Sequence, residues 1–222
     1  MGAYNWDFLI VFQNLDVLAK GLLLTFKIAA SSLVTGLIIG LVLGGMRLSK
    51  KKLLSFPAAV FVEIFRNTPA LVQIMWFFYA LPILLNLQVS PFMAAFLSLT
   101  MNNAAFSAEI YKAGINSIEK GQWEAGKALG MNFLKLMQRV ILPQAIKRTI
   151  PAFTNRSVEL TRMTSLASTI AYGELMYQGR LLSEYLYRPI EIFTTVALIY
   201  FIILYTGTIF SGLLEKRLSR SD

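Results

Sequence analysis

The sequence predicts an all-α integral membrane protein with about five spanning helices. Three observations predict it. Of 222 residues, 56% are hydrophobic and only 15% charged, against about 25% charged in an ordinary soluble domain. Mean hydropathy is +0.59. Residues 28–46, 67–108 and 192–214 carry no charge at all. The first and last fit one span of about 20 residues, and the middle stretch fits two.

Taken in order, the spans are expected at about 17–46, 56–80, 90–111, 148–172 and 190–214. The second is broken at Pro69, because proline lacks the N–H that a helix interior needs. The turn between the second and third is "LPILLNLQVSP", punctuated by Pro82, Asn86, Gln88 and Pro91. The fourth has only 11 uncharged residues between Arg162 and Glu174 and carries Arg156, Glu159 and Arg162. Such a helix must hide its charges, so it is expected to face protein or a wet cavity. "MGAYNWDF" lacks a basic leader, so no signal peptide is expected. The whole of 1–222 reads as one transmembrane domain.

Five spans put the termini on opposite sides. Loop 47–52, segment 112–148 and the tail (Lys216, Arg217, Arg220) hold fourteen of the 21 cations. Cationic loops stay in the cytoplasm, which places the N-terminus outside and the C-terminus inside. The net charge of +9 is thereby a topology signal, and no nucleic acid is expected as a partner. Membrane lipid is the solvent. Trp6, Tyr185 and Tyr187 read as interfacial anchors. The chain has neither cysteine nor histidine, which excludes disulfides, thiolate metal sites and a histidine-based triad. No metal site and no catalytic residue is expected.

"GQWEAGKA" (121–128) matches the phosphate loop G-x-x-x-x-G-K-[ST] except at Ala128. A phosphate loop needs a buried strand before it and a helix after it. The preceding "EIYKAGINSIEK" is no such strand, and Ala128 lacks the hydroxyl that holds magnesium. No nucleotide is expected here. Ala125, Leu129, Phe133, Leu136 and Val140 instead recur at three or four, as one apolar helical stripe interrupted at Gly130. The segment at about 112–147 therefore reads as a short amphipathic helix, a bend and a second helix. It either rests on the bilayer or docks a soluble partner; the residues alone leave both open.

The same stretch resembles the EAA motif of ABC importer permeases, E-A-A-x3-G-x9-I-x-L-P. Glu124, Ala125, Gly130, Leu142 and Pro143 fall at its spacing, with Gly126 for the second alanine and Val140 for isoleucine. "EIFRNTPALVQ", "SAEIYKAGINSIEKGQWEAG", "ILPQAIKRTIPAFTN" and "TRMTSLASTI" resemble further elements of the polar amino acid permease branch. The resemblance runs from about residue 17 to 217. It implies a type I importer membrane subunit in the bacterial inner membrane, and no enzyme. ATP would be used by a separate ABC ATPase dimer, no cofactor being bound directly. The other implied partners are a second permease subunit, identical or paralogous, and an extracytoplasmic amino-acid-binding protein. Glu124, Ala125, Gly126, Leu129 and Gly130 would form the coupling helix and its bend.

The substrate path is expected along polar groups of the spans. Arg66, Asn67, Thr68 and Gln73 lie at the break of the second, and Asn102, Asn103, Ser107 and Glu109 on the third. Glu159, Arg162, Thr164 and Ser165 lie on the fourth. Arg66 would meet a substrate carboxylate or pair with Glu63; Glu109 would meet an ammonium or pair with Lys112. The family commonly has lysine and then an acidic or polar residue where this chain has Arg162 and Met163. Arg66 and Arg162 favour acidic or neutral over cationic amino acids. The alternative is a self-contained channel or secondary transporter, against which stands the lack of paired discontinuous segments in two matching halves.

Overall fold

The computed structural model describes residues 4–219, with side chains up to Lys216. Two of the tail cations, Arg220 and the side chain of Arg217, lie outside the described residues. Every regular element among the described residues is helical. In order they are α1 (Leu9–Phe12), α2 (Leu15–Leu48), α3 (Lys52–Asn67), α4 (Ala70–Met75), α5 (Leu81–Leu85) and α6 (Pro91–Asn116). Then come α7 (Lys120–Ala128), α8 (Phe133–Leu136), α9 (Leu142–Met163), α10 (Leu175–Leu186) and α11 (Pro189–Ser219). Single π-helical turns, Trp76–Ala80 and Met137–Ile141, precede α5 and α9. By length and composition α2 and α11 can each cross a membrane, and Lys52–Asn67 with Ala70–Leu85 can do so together.

The residues fall into two compact units. One comprises the chain up to Leu33, Pro69–Thr100 and Val158–Gly207; the other comprises Val34–Thr68, Met101–Ser157 and the chain from Thr208. In the first, Ile28, Ile74, Leu99, Leu160 and Ile170 make one buried cluster. Val11, Leu18, Leu175, Leu182, Ile192 and Val196 make another. The Glu174 carboxylate caps α10, accepting from the N–H groups of Met176 (2.9 Å) and Tyr177 (2.8 Å) and from the Tyr200 hydroxyl (2.6 Å). Burial pushes its carboxyl up, against the lowering effect of these three bonds.

Beyond α9 the chain tightens into a 3-10 helix, Thr164–Ile170. The hydroxyls of Thr164, Ser165, Ser168 and Thr169 each donate to the carbonyl three residues back, at 2.7–2.9 Å. Side chains that return to the backbone in this way favour the tighter winding. Ala171, at φ 58°, ends it.

In the second unit α2 meets α6 along a glycine seam. A Cβ on Gly36 would lie 2.6 Å from Asn103, on Gly40 2.6 Å from the Ser107 Cβ, and on Gly44 3.1 Å from the Ala108 carbonyl. Small residues at a spacing of four let two helices approach closely within lipid. We predict that Gly40→Val costs about 1–3 kcal/mol by overpacking. Gly45→Ala, where an added Cβ meets nothing within 4 Å, should instead stabilise by about 0.5–1 kcal/mol through helix propensity. Thermal unfolding of the detergent-solubilised variants tests the pair. Equal midpoints would refute the seam.

Candidate functional site: a helical knuckle and a buried arginine cluster

The stretch around "GQWEAGKA" forms α7, a turn and α8. Glu119, in extended backbone, precedes α7, and Gly130 ends it at φ 71°. The Gly130 N–H donates to the Lys127 carbonyl (2.9 Å) and the Met131 N–H to the Gly126 carbonyl (3.1 Å). This is the Schellman pattern, in which the left-handed position suits glycine. Asn132 then caps α8, its Oδ1 accepting from the Lys135 N–H at 2.9 Å.

The turn divides the apolar stripe expected from the sequence. Leu136 is buried with Ile118, Ile141 and Ala145, and Trp123 and Val140 pack against them. Leu129 and Phe133 are 78% and 71% exposed, and Leu134 joins them on the surface. The stripe expected to be interrupted at Gly130 divides into an inner and an outer set, because the φ of Gly130 turns the chain between them. Glu124 and Ala125 are exposed with the outer set. Gly126 is buried, and a Cβ there would come within 2.3 Å of Leu136 Cδ1. The alanine that the motif has at this position would therefore have to displace the end of the Leu136 side chain.

The polar groups of the second unit gather on α6. Arg156 is 4% exposed. Its Nη2 donates to Asn102 Oδ1 at 2.6 Å and its Nε to Asn103 Oδ1 at 3.2 Å. Its guanidinium lies 4.1 Å from the Phe106 ring centroid, and that of Arg66 lies 5.4 Å from the same ring. Glu109 pairs with Arg47 and stands 4.0 Å from Arg66. Two expectations are therefore corrected: Arg66 reaches Glu109 rather than Glu63, and Glu109 reaches Arg47 rather than Lys112. Neighbouring helices supply these partners, whereas the expected ones were chosen from the same helix. Ser107 is buried on the glycine seam.

At the break after α3 the side chains replace lost backbone donors. Asn67 Nδ2 donates to the Glu63 carbonyl (2.8 Å) and the Thr68 hydroxyl to the Ile64 carbonyl (2.7 Å). The Phe65 carbonyl, which would have bonded residue 69 had it not been proline, accepts from Asn102 Nδ2 at 3.0 Å. In the first unit Gln73 and Thr164 are buried, Ser165 is half-buried, and Glu159 and Arg162 are exposed. Arg156, Phe106 and Arg47 were absent from the expected path, whereas Asn102 was on it. The R-x-x-E-x-x-R run marked Arg156 as a charge to be hidden, but no spacing pointed to its partners on α6.

A cavity of about 510 Å³ in the second unit is lined by Leu41, Leu48, Ile115, Ile146, Ile150 and Phe153 among others. Its apolar walls do not suit a zwitterion, whose two charges each need a partner.

Comparison with known proteins agrees with this geometry. The family described as "Binding-protein-dependent transport system inner membrane component" matches residues 36–220. The arginine transport system permease protein ArtQ of Bacillus subtilis (strain 168) is 34% identical over 218 residues, covering 98% of this chain and 100% of that protein. The glutamine transport system permease protein GlnP of Escherichia coli (strain K12) is 35% identical over 215 residues, covering 96% and 98%. The L-cystine transport system permease protein TcyB of Bacillus subtilis (strain 168) is 36% identical over 220 residues, covering 98% and 93%. Among solved structures, a chain of an amino acid ABC transporter crystallised with histidines is similar at TM-score 0.92 and 30% identity, with 96% and 100% covered. A chain of the MetNI methionine transporter shares the fold at TM-score 0.75 and 21% identity, with 93% and 98% covered. The chain therefore belongs to the inner-membrane components of binding-protein-dependent transport systems, the permease subunits of type I ABC importers, whose ATP is used by a separate subunit.

Proposed function

We propose that this chain is the permease subunit of an amino acid ABC importer, moving a polar L-amino acid delivered by an extracytoplasmic binding protein. The observation that carries this is the knuckle of α7 and α8. It offers Glu124, Ala125, Leu129 and Phe133 outward on a turn held by Gly130, with nothing of its own unit covering them. An apolar set with a carboxylate beside it fits a groove on an ATPase dimer. The curated relatives, permeases for arginine, glutamine and cystine, support an amino acid as cargo. On this reading the chain is no enzyme and binds no cofactor itself.

Five spans are proposed: α2, α3 with α4–α5, α6, α9 with its 3-10 end, and α11. The N-terminus is then outside and the C-terminus in the cytoplasm of a bacterial plasma membrane, with the knuckle on the cytoplasmic side. Exposed Tyr185, Tyr187 and Trp6 suit the outer interface. Arg66 and Asn67 in one unit, and Glu159 and Arg162 in the other, are exposed on spanning helices. A charge facing lipid near the bilayer centre costs about 2.5–3.5 kcal/mol. These faces therefore belong against a second permease, identical or paralogous, or a wet path. Gln73, Thr68, Asn103, Ser107, Glu109, Thr164 and Ser165 would support that path. The lean toward acidic or neutral cargo rests chiefly on Arg162, since Arg66 already faces Glu109.

Proteoliposomes test the reading. Uptake of labelled amino acid should require the ATPase subunit, the binding protein and ATP together, and competition by glutamate, glutamine and arginine identifies the cargo. Uptake by the chain alone would overturn the proposal in favour of a channel or secondary transporter.

A further inference from the structure

The end of α2, the start of α3 and the end of α6 frame a second, open cavity within one unit. Its volume is about 470 Å³, and its lining is Arg47, Lys52, Ser55, Phe56, Ala59 and Lys112. Three of these six residues are cations and none is acidic. Arg47 is answered by Glu109. Neither Lys52 nor Lys112 has a carboxylate within 4 Å among the described residues. Two further lysines, Lys50 and Lys51, adjoin the cavity in sequence. Like charges gathered at one cavity are unfavourable unless an anion joins them.

The apolar side of the cavity indicates which anion. Lys52, Ser55, Phe56 and Ala59 follow one another at i, i+3, i+4 and i+7, one face of α3. Leu53, Phe56, Val60 and Ile64 are exposed along the same helix. A soluble phosphate has no use for such a strip, whereas an acyl chain does. A cationic pocket between spanning helices, at the end of a hydrophobic strip, is the arrangement that takes a charged lipid headgroup.

We propose that this cavity binds an anionic phospholipid. The phosphate sits between Lys52 and Lys112, the Ser55 hydroxyl donates to it, and an acyl chain lies against Phe56 and Val60. The inference rests on the membrane placement under Proposed function, in which loop 47–52 lies at the inner leaflet.

Native mass spectrometry of the full-length chain with its ATPase subunit tests it, with phosphatidylglycerol, phosphatidylcholine or inorganic phosphate added. Bound phosphatidylglycerol is expected on the wild type. Lys52→Gln with Lys112→Gln should weaken it about thirtyfold, from a little over a fivefold effect for each lysine near a headgroup. Lys135→Gln with Lys147→Gln, outside the cavity, should leave it within about twofold, the level at which surface substitutions act. Equal loss in both double variants would mean diffuse attraction and would overturn the site. Equal retention of phosphatidylcholine would overturn the headgroup assignment. Displacement by inorganic phosphate would make it a soluble-anion site and overturn the lipid. Phe56→Ser checks the acyl contact, and unchanged lipid affinity there would also count against the proposal. Lipid binding is read without transport, so failure here leaves the uptake result standing, and the reverse.

Discussion

Glu124→Arg combined with Leu129→Asp releases the ATPase while the permease stays inserted. This is the largest functional effect expected. Both side chains are exposed in the isolated chain, so neither change removes an internal contact, and stability should move by no more than about 0.5 kcal/mol. At an interface the balance differs. A leucine buried against a partner becomes a desolvated carboxylate, and the Glu124 charge is reversed. Each change has the character of a hot-spot loss of about 2 kcal/mol or more, so the pair should weaken association by roughly a thousandfold. Co-purification of a tagged permease with its ATPase reads the loss, and the thermal midpoint of the permease controls for folding. Unchanged association and transport would refute the coupling role. Gly126→Leu is no substitute test, because the added side chain would collide with Leu136 and disturb the fold itself.

Arg156→Ala should destabilise the protein more than Gly40→Val does. It removes the donors to Asn102 and Asn103 and leaves two buried carbonyl oxygens without them. Hydrogen bonds to a charged group contribute about 1.5–3 kcal/mol each, so the loss should reach about 3–5 kcal/mol. Arg156→Lys should recover only part of it. The guanidinium donates in two directions while lying on the Phe106 ring, and an ammonium cannot keep both positions. Thermal unfolding of the solubilised protein orders the series wild type, lysine, alanine. Lysine equal to wild type would show that charge alone matters.

Much of the architecture was legible because membrane helices obey a length rule. Charge-free runs located α2, α6 and α11. Pro69 located a helix break because proline cannot donate to Phe65. Gly130 located the bend, since a glycine followed by a fresh helix is a common helix end. The partners of buried charges were not legible. Sequence reasoning can test neighbours three or four positions away, and it offered Glu63 for Arg66 and Lys112 for Glu109. The structure chose Glu109 and Arg47, which lie on other helices. Arg156 and Asn102 are 54 positions apart, and no local periodicity connects them. The glycines at 36, 40 and 44 were visible as letters, but only the apposed α6 gives their spacing a meaning. The outer face of α7 was partly legible: the motif singled out Glu124 and Ala125, while the exposure of Phe133 follows from a turn whose φ no residue pattern states outright.

The amide that closes the break has a consequence for the order of assembly. The Phe65 carbonyl is emitted by the ribosome 37 residues before Asn102, the side chain that satisfies it. One of the bonds that hold the bent end of α3 is thus available only once α6 has been made. Asn102→Leu removes that bond from the break, and the thermal midpoint of the solubilised variant should fall below that of the wild type.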